Sequence, residues 1–342
     1  MKPATLKDVA RAAGVSIWTV SNTFSGKAPV TQSTKTRVLE AAKTLRYIPN
    51  QTARALRRET PGPIVVMTAS TSNAYYVDML DGIHEMLRTS SHGVRTADLA
   101  PEGRFDQKTE DLVVIEAIQS RAAGVISTLT LSVDNHEKLC EWGIPIVYVD
   151  SQGPTAPSGS VSVTSNNEQA AYQIGEHLNY HRLDKWLLLI YPERWSTRQT
   201  RIKGMENAAE KFGATLSILE CANDSQSSAT VLEEYLRDRK TEGLAVIAGN
   251  NPLLLGTMHA LQACDLHVPD QVALVAFDEF TWSTFVDPPV TLIDEDSRDI
   301  GAKAALKLIH IMQEHPQGAI RYHNQESEEV NVKLRIRGSC GC

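Results

Sequence analysis

The sequence predicts an α/β fold in which a small helical unit precedes a much larger part built from parallel β-sheets. Residues 5–24 fit two short helices around a glycine turn, and from Ile64 onward apolar strand patterns alternate with helical patterns. Such alternation is typical of doubly wound parallel sheets. At 342 residues the chain is also long enough for more than one domain, each with its own apolar core.

The stretch TLKDVARAAGVSIWTVSNTF, residues 5–24, is the most informative local pattern. Thr5 and Asp8 fit a capping box at the start of a helix that Gly14 ends, and Ser16 is a suitable N-cap for the next helix. At 100° per residue, four residues of the second helix occupy a separate arc of about 140°, away from the inner side that carries Val20 and Phe24. This arc consists of Ile17, Trp18, Ser21 and Asn22. The pattern predicts either a helix-turn-helix whose second helix enters the DNA major groove or an ordinary αα-hairpin.

The charge of the chain changes sign near residue 60. Residues 1–60 hold eleven basic and three acidic side chains and so carry +8, which leaves −15 for residues 61–342 because the whole chain is −7. A small cationic segment on an anionic body is what binding to a phosphate backbone requires. The charge pattern therefore favours the DNA-binding interpretation over the plain hairpin.

Composition and motifs argue against several other classes of protein. No apolar run follows the first basic residues, and no stretch is long enough to span a bilayer, so we expect no signal peptide and no membrane partner. The sequence also lacks a Gly-rich phosphate loop of standard spacing and a Gly-x-Ser-x-Gly elbow. These features predict a cytoplasmic, nucleoid-associated protein that is not an enzyme.

The cysteines and histidines predict no metal site and no cofactor. Five scattered cysteines, an odd number, indicate reduced thiols in the cytosol. Cys340-Gly341-Cys342 offers a metal-binding or disulfide alternative, but we expect a frayed chain end there. We recognise no paired ligand spacing among the ten histidines.

The segment after residue 30 completes the predicted helical unit. A third helix is expected to start near Thr31 and to continue to Tyr47, with Ile48 packed beneath it. The sequence of Gln51–Arg58 predicts a helix that is too short to be stable alone, and residues 59–63 are expected to form a linker. The expected division is a helix-turn-helix headpiece at 1–49, a hinge helix and linker at 50–63, and a core at 64–342.

The core predicts nine strands with helical patterns in most of the gaps. The strands are expected at Ile64–Ala69, Val94–Leu99, Gly124–Leu129, Ile144–Asp150, Ser160–Ser165, Lys185–Tyr191, Thr215–Glu220, Gly243–Gly249 and Val272–Asp278. Among the helices are Tyr75–Leu87, Gln107–Gln119, Gln169–Leu178 and Arg201–Phe212. Nine strands exceed one comfortable sheet, so we predict two α/β lobes with a ligand in the cleft at the carboxyl ends of their strands.

Several motifs together resemble the LacI/GalR family of repressors. They are LKDVARAAGVSIWTVSN, APVTQSTKTRVLEAA and YIPNQTARAL near the start, and SNAYY, GIPIVYVD, RIKG, AGNNPLLLGTMHAL, VALVAFDEF, DPPVTLI and LRIRGS further along. The resemblance extends over nearly the whole chain and implies a two-lobed core like that of a periplasmic sugar-binding protein, with three crossovers between lobes. The implied lobes are 61–160 plus 292–320 and 161–291 plus 321–342.

The resemblance implies that Ile17, Trp18 and Asn22 read base edges. Asn22 suits adenine, whereas Ile17 and Trp18 offer apolar contact and one indole donor, for which a thymine methyl is a plausible target. The alternative for Trp18 is a partly buried headpiece residue. Many family members have polar side chains at the positions of Ile17 and Trp18, so the operator sequence stays open.

Hydroxyl side chains and the hinge supply the other expected DNA contacts. The candidates for phosphate contact are Thr5, Ser16, Thr19, Ser21, Thr31, Thr34 and Asn50. Each hydroxyl has a helix cap as its alternative role, and for Thr5 we favour the cap. In the family's hinge, Leu56 would be an apolar wedge in the minor groove and Ala53 would allow close approach. The alternative for Leu56 is a linker residue packed on the core.

The resemblance also implies an effector site in the cleft. Arg201 and Asp278 match the sugar-clamping positions, where a guanidinium donates to hydroxyls and a carboxylate accepts from them. Asn250 and Asn251 stand where the family usually has Asn-Asp, which removes a carboxylate. The remaining candidates are Asn73, Tyr75, Asp150 and, as the best of the aromatic residues, Trp282.

These observations predict a DNA-binding transcriptional regulator, a repressor, that binds a pseudo-palindromic operator as a homodimer. A small ligand in the cleft, a sugar or derivative ahead of a nucleobase or nucleoside, would control its affinity for DNA. No leucine heptad follows the final strand, which favours a dimer over a tetramer. The alternatives are a solute receptor without a regulatory role and an α/β enzyme.

Overall fold

The computed structural model of the protein divides into two units, residues 1–62 and 63–342, which are taken separately below. The division falls inside the expected linker. The expected hinge contacts of Asn50, Ala53 and Leu56, and the packing of Ile48, lie outside the described residues. The structure describes residues 4–25, 28–45, 47, 62–70, 73–88, 90, 92–237, 239–314, 320–322 and 327–342.

The described part of the first unit contains three helices, α1 (Leu6–Ala13), α2 (Ile17–Ser25) and α3 (Gln32–Thr44). Local side-chain chemistry sets their ends. Thr5 and Asp8 form the expected capping box, and Gly14 ends α1 in the left-handed conformation at φ 63°. The Ser16 hydroxyl accepts a hydrogen bond from the Thr19 backbone N–H at 3.0 Å and so caps α2.

One apolar cluster holds these three helices together. Val9, Val20 and Val38, one from each helix, are fully buried in it. Phe24 and Tyr47 close the cluster with ring centroids 5.9 Å apart. The inner face of α2 is therefore committed to packing, which leaves the opposite arc for solvent or a partner.

The second unit contains two six-stranded sheets. The first sheet has the order β11-β5-β4-β3-β1-β2 and the second has the order β12-β10-β9-β8-β6-β7. The strands are β1 (Ile64–Thr68), β2 (Val94–Asp98), β3 (Gly124–Ser127), β4 (Ile146–Val149), β5 (Ser162–Ser165), β6 (Lys185–Ile190), β7 (Thr215–Glu220), β8 (Leu244–Ala248), β9 (Ala273–Ala276), β10 (Thr291–Asp294), β11 (Glu328–Val330) and β12 (Lys333–Arg335). All strand pairs are parallel except β10 with β12, which is antiparallel.

Helices cover both sheets, as parallel strands require. They are α4 (Ala74–Leu87), α5 (Gln107–Gln119), α6 (Val133–Glu141), α7 (Asn167–Tyr180), α8 (Thr197–Phe212), α9 (Ser225–Leu236), α10 (Asn251–Ala263) and α11 (Ser297–Glu314). The central strands, such as β1, β3 and β8, are buried along their whole length. Among the described residues, no helix combines the length and apolar character needed to cross a bilayer.

The lobe boundaries implied by the resemblance are wrong in three places. Strand β5 pairs with β4 through Val149 and Val163, so the first lobe continues to Ser165 rather than ending near residue 160. Strand β10 pairs with β9 and belongs to the second lobe, so the chain returns to the first lobe after Asp294 rather than near 292. Strand β11 pairs with β5, which moves the last crossover from near 321 to between β11 and β12.

Three strands were missing from the sequence-based prediction: β10, β11 and β12. Each is only three or four residues long, and β11 and β12 carry mostly charged side chains. The alternation of apolar and polar residues is too short there to be distinguished from a loop.

The expected frayed end at Cys340 and Cys342 is also wrong. Gly338–Cys340 form a 3₁₀ turn in which Ser339 and Cys340 are buried. The Ser339 hydroxyl donates to the Leu274 carbonyl at 2.6 Å and accepts from the Thr291 N–H at 2.8 Å. This segment is therefore fastened to the second sheet.

Candidate functional site

The outer arc of α2 presents large apolar side chains to solvent. Trp18 is 65% exposed and Ile17 is 44% exposed. The indole is therefore not a packed headpiece residue, and the alternative that Trp18 is partly buried fails. Large exposed apolar side chains on a small helical unit mark a contact surface.

The polar candidates on the first unit are in two different situations. Asn22 is half-buried, and its Nδ2 has no hydrogen-bond partner among the described residues. Ser16 and Thr31, by contrast, cap α2 and α3, and Thr34 accepts a hydrogen bond from the Thr31 hydroxyl at 2.9 Å. Phosphate contact by Thr5, Ser16, Thr19, Ser21, Thr31 and Thr34 remains a prediction, although the cap that we favoured for Thr5 is confirmed.

A cavity of about 350 Å³ lies between the lobes of the second unit, and we call it the ligand cavity. The first lobe contributes Ala69, Ser70, Asn73, Ala74, Tyr76 and Gly103 to its wall. The second lobe contributes Asn223, Asp224, Ser225, Asn251, Pro252, Leu255, Phe280 and Trp282. Amide, hydroxyl and aromatic groups thus face one space, which suits a neutral polar ligand with an apolar face.

Three of the eight predicted effector residues line the ligand cavity: Asn73, Asn251 and Trp282. Asn251 Nδ2 donates across the cleft to Asn73 Oδ1 at 3.4 Å, and Trp282 packs on Phe280 with ring centroids 4.1 Å apart. Residues Ser70, Asn223 and Phe280 were missed because short loops bring them to the wall, and such loops carry no periodic pattern in sequence.

The other five predicted effector residues are not on the cavity wall. Arg201 is 1% exposed, and its Nε donates to Asn167 Oδ1 at 2.7 Å. Its Nη2 donates to Asp278 Oδ1 at 3.0 Å and to Glu295 Oε1 at 2.8 Å, and Nη1 donates to the Gly249 carbonyl. Four of the five guanidinium N–H groups are therefore used by the protein itself.

We call Arg201, Asn167, Asp278, Glu295 and the nearby Asp150 the Arg201 network. Its members come from both lobes and from the crossover that follows β10. All three carboxyl groups are buried. Asp150 Oδ1 and Glu295 Oε2 have no hydrogen-bond partner among the described residues. Glu295 and Asn167 were not predicted, because acidic and amide side chains are normally assigned to the surface.

Burial controls the charge state of this network. It raises the pKa of Asp150 to about 7, with a smaller opposing effect from Arg201. Burial also raises the pKa of Asp278 and of Glu295. One guanidinium cannot balance three ionised carboxylates in a low-dielectric interior, so part of the network is protonated near neutral pH.

The remaining predicted residues of the cleft have structural partners. Asn250 caps α10 and its Nδ2 donates to Asn223 Oδ1 at 2.7 Å. Tyr75 is buried, and its hydroxyl lacks a partner among the described residues. Direct ligand contact by Tyr75, Asp150, Arg201, Asn250 and Asp278 therefore remains a prediction.

Further contacts hold the two lobes together beside the cavity. Arg194 Nη2 lies 2.7 Å from Oε2 of the fully buried Glu110, and its guanidinium stacks 3.7 Å above the Phe105 ring centroid. At Gly103, whose φ is 74°, a Cβ atom would come 2.1 Å from the Asn223 carbonyl oxygen. Only glycine permits this approach, so the lobes meet closely at the edge of the cavity.

These features define a class of protein. A three-helix unit with an exposed reading face and a two-lobed α/β unit with a cleft cavity describe a ligand-binding regulator that recognises DNA. Comparison with known proteins identifies the family. A profile described as bacterial regulatory proteins, lacI family, matches residues 5–50. One described as periplasmic binding proteins and sugar binding domain of LacI family matches residues 62–336. The chain belongs to the LacI family of transcriptional regulators.

Relatives and solved structures agree with this assignment. The chain is 27% identical over 342 residues to the HTH-type transcriptional repressor PurR of Vibrio vulnificus, with 98% of each chain covered. It is 26% identical over 317 residues to the ribose operon repressor of Bacillus subtilis, covering 92% of this chain and 93% of the relative. The fold matches the lac repressor dimer bound to operator and an anti-inducer, with a TM-score of 0.81, 21% identity and 99% of each chain covered. The named relatives are repressors rather than enzymes.

Proposed function

We propose that this protein is a repressor that binds a pseudo-palindromic operator as a homodimer and responds to a neutral sugar in the ligand cavity. The observation that carries the proposal is the cavity between the lobes, with its amide and aromatic lining. The lac repressor structure that it resembles is a dimer on its operator. Two copies of a reading helix require two half-sites, so the symmetry of the operator mirrors that of the protein.

The wall chemistry supports a neutral polyhydroxylated effector over an anionic one. Asn73, Asn223 and Asn251 carry donors and acceptors for hydroxyl groups, and Phe280 and Trp282 provide an apolar platform. No lysine or arginine is among the described wall residues, so nothing there would neutralise a phosphate. Solved relatives of similar fold contain cellobiose or ribose. A nucleobase is the second candidate, because it also stacks on aromatic rings.

The carboxylate on the wall does not change this choice. Asp224 caps α9, where Oδ1 accepts from the Ser227 N–H at 2.7 Å and Oδ2 from the Ser227 hydroxyl at 2.9 Å. The Asp224 carboxylate therefore has a structural role as the cap of α9. It still has lone pairs for a ligand hydroxyl, but it repels an anion.

On the DNA side, we assign base contacts to Ile17, Trp18 and Asn22. The exposure of Ile17 and Trp18 supports apolar contact with thymine methyl groups. The Asn22 Nδ2 is buried without a partner among the described residues, so an adenine contact requires this side chain to turn outward on DNA. The hinge contacts of Asn50, Ala53 and Leu56 complete the proposal. A regulator of this kind works in the cytoplasm, where the operator is.

The proposed mechanism couples the ligand to the closure of the lobes. A ligand shifts an equilibrium only by its differential affinity for the two states. A sugar that touches Asn73 on one lobe and Asn251 on the other binds the closed form more tightly. Operator affinity then changes to the extent that the dimer presents its headpieces differently in the closed form.

Two measurements test the DNA-binding part of the proposal. Selection of bound sequences from a random DNA pool should yield a two-part symmetric site, and Trp18→Ala should lower affinity for this site about tenfold or more while leaving affinity for unrelated DNA nearly unchanged. Equal losses on both DNAs would show that Trp18 does not read bases. Arg11→Ala is the matched control, because removal of a cation should weaken both DNAs alike.

The effector class is tested by a thermal-shift screen of neutral sugars, sugar phosphates and nucleobases. A neutral sugar should raise the unfolding midpoint of the wild type, and its phosphate ester should not. Stabilisation by the phosphate ester alone would contradict the proposed ligand class.

A further inference from the structure

Two histidines and two cysteines meet at the end of helix α7 in the second lobe. They are His177 in the last turn of the helix, His181 at its C-cap, and Cys340 and Cys342 in the 338–342 segment. Each offers one ligand atom, and these atoms all lie within 4.8 Å of one another. The cluster is independent of the ligand cavity, whose wall contains none of the four.

The spacing of the ligand atoms fits a tetrahedral ion. His177 Nε2 lies 3.1 Å from Cys340 Sγ and 3.6 Å from Cys342 Sγ. His181 Nε2 lies 3.0 Å from Cys342 Sγ, and the two sulfur atoms are 3.1 Å apart. A zinc ion with bonds of about 2.0 Å to nitrogen and about 2.3 Å to sulfur separates its ligand atoms by about 3.3–3.8 Å. Small side-chain rotations therefore suffice to admit the ion.

The backbone explains how the four groups converge. His177 and His181 are one helical turn apart and so lie on one face, with ring centroids 4.8 Å apart. Gly341 adopts φ 90°, a left-handed conformation that side chains rarely accept, and it turns the chain so that both thiols face the helix. The sequence offered the cysteine pair as a metal-binding alternative, and the histidine pair was overlooked. That the two pairs meet was not predictable from local spacing, because they are about 160 residues apart.

Neighbouring groups hold the first cysteine in place. The Thr291 hydroxyl lies 3.1 Å from Cys340 Sγ. In the metal-free arrangement it donates to the Arg337 carbonyl at 2.9 Å, and when Cys340 is a thiolate ligand the same proton can be donated to the sulfur instead. Such outer contacts orient the ligands of metal sites in proteins.

We propose that His177, His181, Cys340 and Cys342 form a zinc site that fastens the 338–342 segment to helix α7. Two imidazole nitrogens and two thiolates are the donor set of closed, structural zinc sites, and soft sulfur ligands disfavour magnesium and calcium. All four positions are filled by protein, so the site stabilises the second lobe and has no place for a substrate. Direct sulfur–imidazole hydrogen bonding and a Cys340–Cys342 disulfide are the competing explanations.

The test uses the full chain, purified with a reducing agent and without chelators. We expect one zinc ion per chain by elemental analysis and, after exchange with cobalt(II), the visible absorption bands of a tetrahedral thiolate complex. Cys342→Ser and His181→Gln change partly exposed ligands and should leave the fold intact by circular dichroism. Each should remove most of the zinc and weaken the cobalt bands.

Matched controls separate a specific site from general thiol or histidine binding. Cys264→Ser changes a free cysteine outside the cluster, and His259→Gln changes an exposed helix histidine. Both controls should retain full zinc content. A chelator should lower the unfolding midpoint of the wild type and of both controls by several degrees, but not that of Cys342→Ser.

Three outcomes would overturn the proposal. One is a wild-type protein that takes up no zinc or cobalt while its thiols are free. Another is a Cys340–Cys342 disulfide, detected as the loss of two hydrogens by mass, that persists in reducing buffer with added zinc. Zinc bound equally by the wild type and by Cys342→Ser would place the metal elsewhere.

Discussion

The ligand cavity and the Arg201 network border each other in the second unit, yet their side chains follow different physical rules. The wall is partly exposed and carries amides, aromatic rings and one capping carboxylate, Asp224, whereas the network buries one guanidinium among three carboxyl groups. Asn251 belongs to both regions: its side chain lines the cavity and its backbone N–H donates to Asp278. We therefore expect the wall to determine ligand specificity and the network to determine the stability of the closed form.

This difference determines where substitutions should act. A change on the wall should alter affinity and leave stability nearly constant, because its groups are compensated by solvent. A change in the network should alter stability and closure, because a buried charge that loses its partner has no solvent to replace it.

The largest expected effect follows from Arg201→Ala. Removal of the guanidinium leaves Asp278 and Glu295 buried without their cation, which should lower the free energy of unfolding by about 3–5 kcal/mol. Chemical denaturation followed by tryptophan fluorescence measures this change. The matched control is Lys203→Ala on the same helix, whose amino group pairs with Glu168 at the exposed surface and should contribute almost nothing. If Arg201→Ala and Lys203→Ala have the same free energy of unfolding, the Arg201 network does not stabilise the fold and does not differ from the wall in this respect.

A smaller effect is expected from Trp282→Ala on the wall. Loss of the aromatic platform should weaken sugar binding about tenfold, or about 1.4 kcal/mol, with little change in the unfolding midpoint. Isothermal titration calorimetry measures the affinity. Phe285→Ala is the control, since Phe285 is a nearby aromatic residue that is exposed and not on the wall. A Trp282 variant that binds the sugar normally would exclude stacking on this ring.

The third prediction concerns pH and Asp150. Burial raises its pKa to about 7, well above the ordinary value of about 3.9 for an exposed carboxyl group. The closed form therefore binds the proton more tightly than an open form in which Asp150 meets water. Its contribution to closure is complete at low pH and is lost as pH rises through about 7, with a slope of at most about 1.4 kcal/mol per pH unit.

Arg201, Asp278, Tyr75 and Glu295 surround this carboxyl group. The two neighbouring carboxyl groups share its titration, whereas Arg201 stays charged and Tyr75 stays neutral, because the pKa of each is raised above its ordinary value. X-ray scattering of the ligand-free protein should show expansion as pH rises from about 5 to 8. The side chain in Asp150→Asn stays neutral, so this variant should show a much smaller change of size with pH. Asp134→Asn, a substitution at an exposed carboxylate, should leave the change of size with pH as it is in the wild type. If Asp150→Asn expands with pH as the wild type does, the titrating group is another member of the network.

The parts of the fold that local chemistry determines were predictable from sequence. Helix Gln107–Gln119 and strand Thr215–Glu220 occur with the expected bounds. Asp106 caps the helix, and a six-residue pattern marks the strand, so both ends carry a local signal. The two lobes and the headpiece follow from the same kind of periodicity.

What the sequence could not supply were contacts between distant segments. The lobe boundaries depend on which strands pair at the sheet edges, and strands as short as β11 carry no such information. Glu295 and Asn167 gain their roles only because folding carries them to Arg201. The His–Cys cluster likewise joins a helix and a turn that nothing links locally.

The central claim is that a sugar in the ligand cavity controls the affinity of this regulator for its operator. The most direct test is the affinity of the full chain for its selected operator, measured by fluorescence anisotropy with and without the stabilising sugar. We predict a change of several-fold or more in the wild type and a change that requires about tenfold more sugar in Trp282→Ala. A sugar that binds the wild-type protein and leaves operator affinity unchanged would contradict the account.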